Sequence, residues 1–178
     1  MDDKWYKNKL VGNFAENIIE YLINSMSDWR CIKFGVEETI KGLKDMAKKS
    51  SNNSNRVTQK IRCMPDFVAF NEKTGEAFLI EVKYRFKLKS GYILNYLERY
   101  NEYWKGTKLI IVSVNEPHFV CVDLGKINKE TMREMKYLGR DRKPFWNFEE
   151  IEQNIKEIFP DLKDEDIEEA TRMIPKKD

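Results

Sequence analysis

Apolar residues recur along the chain with two periods, one typical of helices and one of strands. From Asn8 to Ser25 they return every third or fourth position, which predicts a helix with one buried face. Similar spacing predicts further helices over residues 36–48, 92–104, 128–138, 147–159 and 164–174. Short runs of β-branched and aromatic residues predict strands over residues 29–34, 67–70, 77–82, 108–114 and 119–122. This mixture of elements predicts an α/β fold.

Two of the predicted strands form a hairpin that carries the candidate chemistry. A four-residue loop, closed by Asn71 opposite Glu76, sets a register in which Asp66 faces Glu81. Opposed residues project to the same side of a sheet, and so does Lys83, which lies two residues beyond Glu81. The pattern therefore predicts a cluster of two carboxylates and one ammonium at the open end of the hairpin.

Two carboxylates facing each other in an otherwise apolar hairpin repel one another. A divalent cation between them, with the Lys83 ammonium beside it, is the simplest arrangement that offsets this repulsion. Hard oxygen ligands favour Mg²⁺ or Mn²⁺ over zinc. The alternative is an antiparallel hairpin on which Asp66, Glu81 and Lys83 form a salt-bridged rim without a metal.

A family resemblance supports the metal site. Pro65-Asp66, then fourteen residues, then Glu81-Val82-Lys83 resembles the motif of the PD-(D/E)XK nuclease superfamily. The resemblance implies a restriction-endonuclease-like core with a mixed central β-sheet flanked by helices, over residues 1–126. Residues 127–178 lie outside the resemblance, and their apolar spacing predicts a helical C-terminal extension that packs on the core. The resemblance also implies a homodimeric endonuclease that hydrolyses DNA phosphodiester bonds with Mg²⁺ or Mn²⁺.

The same resemblance assigns roles to individual residues. Asp66, Glu81 and the backbone carbonyl of Val82 would bind the metal, and Lys83 would orient the attacking water or stabilise the transition state. Gly12-Asn13-Phe14-Ala15-Glu16 resembles the first-helix motif of these nucleases, in which a glutamate joins the metal site. Glu16 is therefore a further candidate ligand. An ordinary solvated Glu16, or Glu20 in its place if the helix is rotated, are the alternatives.

The net charge is only +2, but it is distributed unevenly. Residues 41–62 carry seven basic side chains and one acid, and residues 83–108 carry seven basic side chains and two acids. These blocks flank the candidate site and predict a nucleic-acid-binding face. Its candidate residues are Lys48, Lys49, Arg56, Lys60, Arg62, Arg85, Lys87, Lys89 and Arg99. Residues 48–60 are predicted to form a flexible basic insertion.

The acidic C-terminal helices are a candidate surface for a protein partner, since residues 147–178 carry eleven acids and five basic side chains.

No apolar run reaches the length of a membrane span, and the N-terminus does not resemble a signal peptide. Three widely separated cysteines suit a reducing environment, so we expect a cytoplasmic protein.

Two other functions remain open at this point. The chain could be a catalytically silent nucleic-acid-binding protein that keeps the nuclease fold, or a protein-interaction subunit whose carboxylates are salt-bridged.

The aromatic stripe of the predicted helix over residues 92–104, which includes Tyr100 and Trp104, is interpreted as core packing rather than as a surface on which bases stack.

Overall fold

A computed structural model of the chain describes residues 3–34, 56–85, 100, 102–126 and 152–175. The predicted helices over residues 36–48 and 128–138 lie outside these ranges, as does most of the helix predicted over residues 92–104. The elements, in chain order, are α1 (Asp3–Ser25), β1 (Trp29–Lys33), α2 (Arg56–Arg62), β2 (Phe67–Asn71), β3 (Ala77–Tyr84), β4 (Lys108–Val112), β5 (Phe119–Asp123), a 3₁₀ turn (Leu124–Lys126), β6 (Glu152–Gln153), α3 (Ile155–Ile158) and α4 (Asp164–Met173).

The strands described in these ranges form one mixed sheet in the order β1-β2-β3-β4-β5-β6. Neighbouring strands are antiparallel except β3 and β4, which are parallel. Helices flank the sheet, so the predicted α/β class with a mixed sheet is confirmed. Within the described part of the chain, no helix is both long enough and apolar enough to cross a bilayer.

The hairpin between β2 and β3 has the predicted register. Phe70 pairs with Ala77, and the N–H of Asn71 donates to the carbonyl of Glu76 at 2.8 Å. The Asn71 side-chain carbonyl also accepts hydrogen bonds from the amides of residues 73 and 74, each at 2.9 Å. Gly75 has φ of +75°, a conformation that a side chain disfavours. Local turn chemistry therefore fixes which residues oppose each other on the two strands.

The main core lies between one face of the sheet and the helices α1, α3 and α4. The buried face of α1 begins at Ala15 and continues through Ile18, Ile19, Leu22 and Ile23. The helix begins at Asp3 rather than at the predicted Asn8, but Leu10 and Phe14 are half exposed. The apolar stripe predicted from the sequence is therefore longer than the surface that the sheet covers.

The C-terminal part of the chain belongs to this core. The Trp29 ring stacks on Phe78 with centroids 5.4 Å apart and meets the edge of Phe159 at 5.2 Å. The Trp29 indole N–H also donates to Asp161 at 3.3 Å. Residues Ile158, Phe159 and Leu162 are buried in the same cluster. The C-terminal residues therefore supply side chains to the interior rather than only covering the surface.

Two predicted elements are wrong in detail. The helix predicted over residues 147–159 is interrupted, because Glu152–Gln153 pairs with β5 and a new helix begins after Asn154. Asn154 and Glu157 form the capping box, whereas the predicted cap at residue 147 lies outside the described ranges.

The second correction concerns the insertion predicted to be flexible over residues 48–60. Residues 56–60 belong to α2 instead, and residues 48–55 lie outside the described ranges. Long-range hydrogen bonds hold α2. The Trp104 indole N–H donates to the Lys60 carbonyl at 2.9 Å, and the Tyr103 hydroxyl donates to the Gln59 side chain at 2.6 Å.

Candidate functional site

The two acids and the lysine that the sequence predicted to cluster lie together on one face of the sheet. Asp66 immediately precedes β2, while Glu81 and Lys83 lie on β3 and alternate with Val82, which packs into the core with α1. The Lys83 ammonium contacts Glu81 Oε1 and lies 3.7 Å from Asp66 Oδ2. All three side chains therefore project from the face opposite α1, as the register requires.

The Asp66 side chain is held in place by the backbone. Its Oδ2 accepts a hydrogen bond from the Val82 N–H at 2.7 Å, which extends the β2–β3 pairing by one step. The Asp66 carbonyl accepts from the Phe34 N–H at 2.8 Å, which likewise extends the β1–β2 pairing. In an extended strand the N–H and carbonyl of one residue point to the same side. The Val82 carbonyl therefore points toward the Asp66 side of β3, as its predicted ligand role requires.

Glu81 is the most buried member of the cluster, at 4 % exposure. Burial raises the pKa of its carboxyl to about 7, against the lowering effect of the Lys83 ammonium. Glu81 Oε2 is buried and has no hydrogen-bond partner among the described residues. Buried polar atoms are rarely left in this state, because an unmade hydrogen bond costs roughly 1–3 kcal/mol.

A hard divalent cation fits this arrangement. Glu81 Oε2, an Asp66 oxygen and the Val82 carbonyl are the oxygen donors that Mg²⁺ and Mn²⁺ prefer, and a cation would satisfy the unpaired Glu81 atom. The Asp66 and Lys83 side chains are 23 % and 26 % exposed, so the cluster opens to solvent on their side. Mg²⁺ commonly keeps several waters besides one or two carboxylates, so two acids are a sufficient protein contribution.

Glu16 does not join Asp66 and Glu81 in one cluster. Within the described ranges, which include Glu16, no group of three acidic, histidine or cysteine side chains could hold a metal. The physical reason is that α1 packs on the opposite face of the sheet from Asp66 and Glu81. The alternative glutamate, Glu20, lies 3.8 Å from the Lys33 ammonium, next to β1.

Three of the residues predicted to bind nucleic acid, Arg56, Lys60 and Arg62, lie on α2, which ends shortly before Asp66. The Arg56 guanidinium is exposed and 3.9 Å from Glu102. Arg85 follows β3, and its guanidinium donates to the Tyr84 carbonyl at 2.8 Å. The remaining candidates, Lys48, Lys49, Lys87, Lys89 and Arg99, lie outside the described ranges.

Tyr100 is a site residue that the sequence did not single out. Its side chain is 3 % exposed and its hydroxyl interacts with the Glu81 carboxylate, which lowers the pKa of Glu81. Burial and the neighbouring Glu81 charge raise the pKa of the Tyr100 hydroxyl, so that it remains a proton donor. The helical spacing of Tyr100 indicated only a core position, and nothing in the sequence distinguishes its hydroxyl from that of another buried tyrosine.

Comparisons of the chain with protein-family models, with curated proteins and with solved structures find no match. The arrangement of Asp66, Glu81 and Lys83 is therefore the basis for assigning a function. Two carboxylates and an ammonium at a solvent-facing position can bind a hard cation and face a negatively charged group.

Proposed function

We propose that the protein is a PD-(D/E)XK-type nuclease with a restriction-endonuclease-like fold that hydrolyses DNA phosphodiester bonds. Asp66, Glu81 and the Val82 carbonyl hold Mg²⁺ or Mn²⁺. The observation that carries this proposal is the buried Oε2 of Glu81, which has no hydrogen-bond partner in the described part of the chain and lies beside a second carboxylate and a lysine. The motif spacing that the sequence shares with these nucleases supports the same assignment.

Each residue of the site has a separate role in the proposed reaction. A bound Mg²⁺ supplies Lewis-acid polarisation of a phosphate oxygen and lowers the pKa of a coordinated water. The Val82 N–H holds the Asp66 carboxylate, and the Tyr100 hydroxyl lowers the pKa of Glu81. The Lys83 side chain lies at the partly exposed side of the cluster, where it stabilises the negative charge that develops on a phosphate in the transition state.

A second candidate is a nucleic-acid-binding protein without catalytic activity. It is favoured by the contacts that Lys83 makes with both carboxylates, because the ammonium offsets part of their negative charge without a metal. No third acid joins the pair within the described residues. The two candidates differ in one measurable property, since only the nuclease requires a divalent cation to act on DNA.

The test is a cleavage assay on duplex, branched, flapped and single-stranded DNA, with Mg²⁺ or Mn²⁺ and with EDTA. We expect metal-dependent cleavage that falls at least about 100-fold in Glu81→Gln, because the metal loses a charged ligand at the reacting phosphate. DNA binding in EDTA should persist. Glu76→Gln is the matched control, since it removes an exposed carboxylate from the same hairpin. Cleavage that survives Glu81→Gln, or no cleavage of any substrate with either metal, would refute the nuclease assignment.

A further inference from the structure

An aromatic surface lies directly beside the carboxylates. Phe34 follows β1, and its N–H donates to the Asp66 carbonyl at 2.8 Å, so Phe34 and Asp66 are opposed across the β1–β2 pair. Opposed residues in an antiparallel pair have Cβ atoms about 5 Å apart and project to the same side. The Phe34 ring therefore stands on the face of the sheet that carries Asp66, Glu81 and Lys83.

Trp104 and Lys60 extend this surface. The Trp104 ring meets Phe34 edge to face, with centroids 5.5 Å apart and planes at 89°. The Lys60 ammonium lies 5.1 Å from the centroid of the Trp104 ring. The indole N–H is bonded to the Lys60 carbonyl, which fixes the ring against α2. Phe34, Trp104 and Lys60 are called the aromatic platform below.

The platform differs from ordinary core packing in its exposure. Tyr100, one helical turn before Trp104, is almost fully buried, whereas Phe34 and Trp104 are only partly buried and Lys60 is exposed. The interpretation of the whole aromatic stripe as core therefore holds for Tyr100 but not for Trp104. Large aromatic side chains beside an exposed cation are the combination on which unpaired bases stack.

The charge around the platform is also suited to a nucleic-acid strand. The α2 sequence contains three basic residues and no acid, and its Arg56 guanidinium is 80 % exposed although it lies 3.9 Å from Glu102. A phosphate backbone that follows α2 would pass the platform and reach Asp66, which comes four residues after the end of the helix. Bases inside a continuous duplex are already stacked and paired, so only an unpaired base can occupy an aromatic platform without an unstacking cost.

We propose that the aromatic platform binds an unpaired base, and that the preferred substrates are single-stranded, flapped or branched nucleic acids rather than continuous duplex. The identity of the cleaved bond rests on the proposed nuclease function. Binding by the platform does not, because it involves neither the metal nor Glu81. The platform places the nucleotide next to it within reach of the carboxylates, so that the unpaired strand determines where the phosphate lies.

The first test measures affinity in EDTA, by fluorescence anisotropy, for a short labelled single strand and for a blunt duplex of the same length. Trp104→Ala should weaken single-strand binding about 5- to 100-fold, because one stacking contact is lost. Duplex binding should change by less than about twofold, since it depends on phosphate contacts. Phe14→Ala is the matched control, because it removes a half-exposed aromatic ring from α1, on the other side of the sheet.

A charge variant tests the cation separately. Lys60→Gln should reduce the slope of log affinity against log salt for the single strand by about 0.7, the value for one phosphate contact. Lys163→Gln, which neutralises an exposed lysine before α4, should leave that slope unchanged. Equal slopes for the wild type and Lys60→Gln would show that Lys60 does not contact a phosphate of the bound strand.

Photo-crosslinking of the unaltered protein covers the case in which Trp104→Ala fails to fold. A single strand carrying 5-iodouracil should crosslink to the peptide that contains Trp104 or to the one that contains Phe34. Crosslinks confined to other peptides would overturn the proposal, as would equal losses of single-strand and duplex affinity in Trp104→Ala. If the platform binds single strands but no substrate is cleaved with metal, only the nuclease assignment fails.

Discussion

Glu81→Gln separates the electrostatic cost of the site from its function, because it removes the charge and keeps the shape of the side chain. In the metal-free protein, burial raises the pKa of Glu81 from its usual 4.5 to about 7. The folded state therefore binds a proton more tightly than the unfolded state does. The stabilisation from this proton is complete below pH 4.5 and is lost as the pH rises through about 7.

The magnitude follows from the pKa difference. At about 1.4 kcal/mol per pH unit, a change from 4.5 to about 7 lowers the free energy of unfolding by about 3 kcal/mol at alkaline pH. The charged and titratable groups that face Glu81 are Lys83, Asp66 and Tyr100, and all three are retained in the variant. Glu81→Gln should therefore be more stable than the wild type by less than about 1 kcal/mol near pH 5 and by about 3 kcal/mol near pH 8.5.

Urea denaturation of both proteins in metal-free buffer, from about pH 5 to pH 8.5, measures this difference directly. Mg²⁺ at about 100 times its dissociation constant should then stabilise the wild type by about 2.7 kcal/mol near pH 8 and leave Glu81→Gln nearly unchanged. A stability difference that stays constant within about 0.5 kcal/mol over the whole range would refute the buried, proton-binding carboxylate. Equal stabilisation of both proteins by Mg²⁺ would locate the cation elsewhere.

Two further predictions concern the fold that holds the site. Phe159→Ala should lower the free energy of unfolding by about 3–5 kcal/mol, because it opens a cavity against Trp29 and Phe78. Met173→Ala, at an exposed position, should lower it by less than about 1 kcal/mol. Equal losses in urea denaturation would contradict this packing. Gly75→Ala should destabilise the folded protein by about 1–2 kcal/mol through the positive φ of this residue alone, since a Cβ there has open space. Gly12→Ala, inside α1, should stabilise the folded protein by about 0.5–1 kcal/mol. Thermal or urea unfolding that shows a change of the same sign for both variants would count against the assigned backbone conformations.

The hairpin could be predicted from the sequence because its determinants are local. Asn71 and Gly75 define the turn, and a strand period of two then places Asp66, Glu81 and Lys83 on one side without any knowledge of the rest of the fold. The cluster was therefore predicted from residues that lie close together in the sequence. Its burial was not, because the cover over Glu81 includes Tyr100, nineteen residues further along the chain.

The elements that were missed depend on contacts between distant residues. α2 follows a Ser- and Asn-rich stretch, and its hydrogen bonds come from Tyr103 and Trp104, more than forty residues away. β6 is only two residues long and forms because β5 offers an edge. Glu16 lies on a correctly predicted helix, but the sequence gives no information about which face of the sheet that helix covers.

The contact between Trp29 and Phe159 has a consequence for biosynthesis. Residues near the two ends of the sequence share one aromatic cluster, and α4 packs against α1. While the chain is still emerging from the ribosome, Trp29 and the apolar face of α1 lack these partners until α3 and α4 have been made. A nascent chain halted before Phe159 would expose these side chains to chaperones, so the core on this face of the sheet forms only after α3 and α4 have been synthesised.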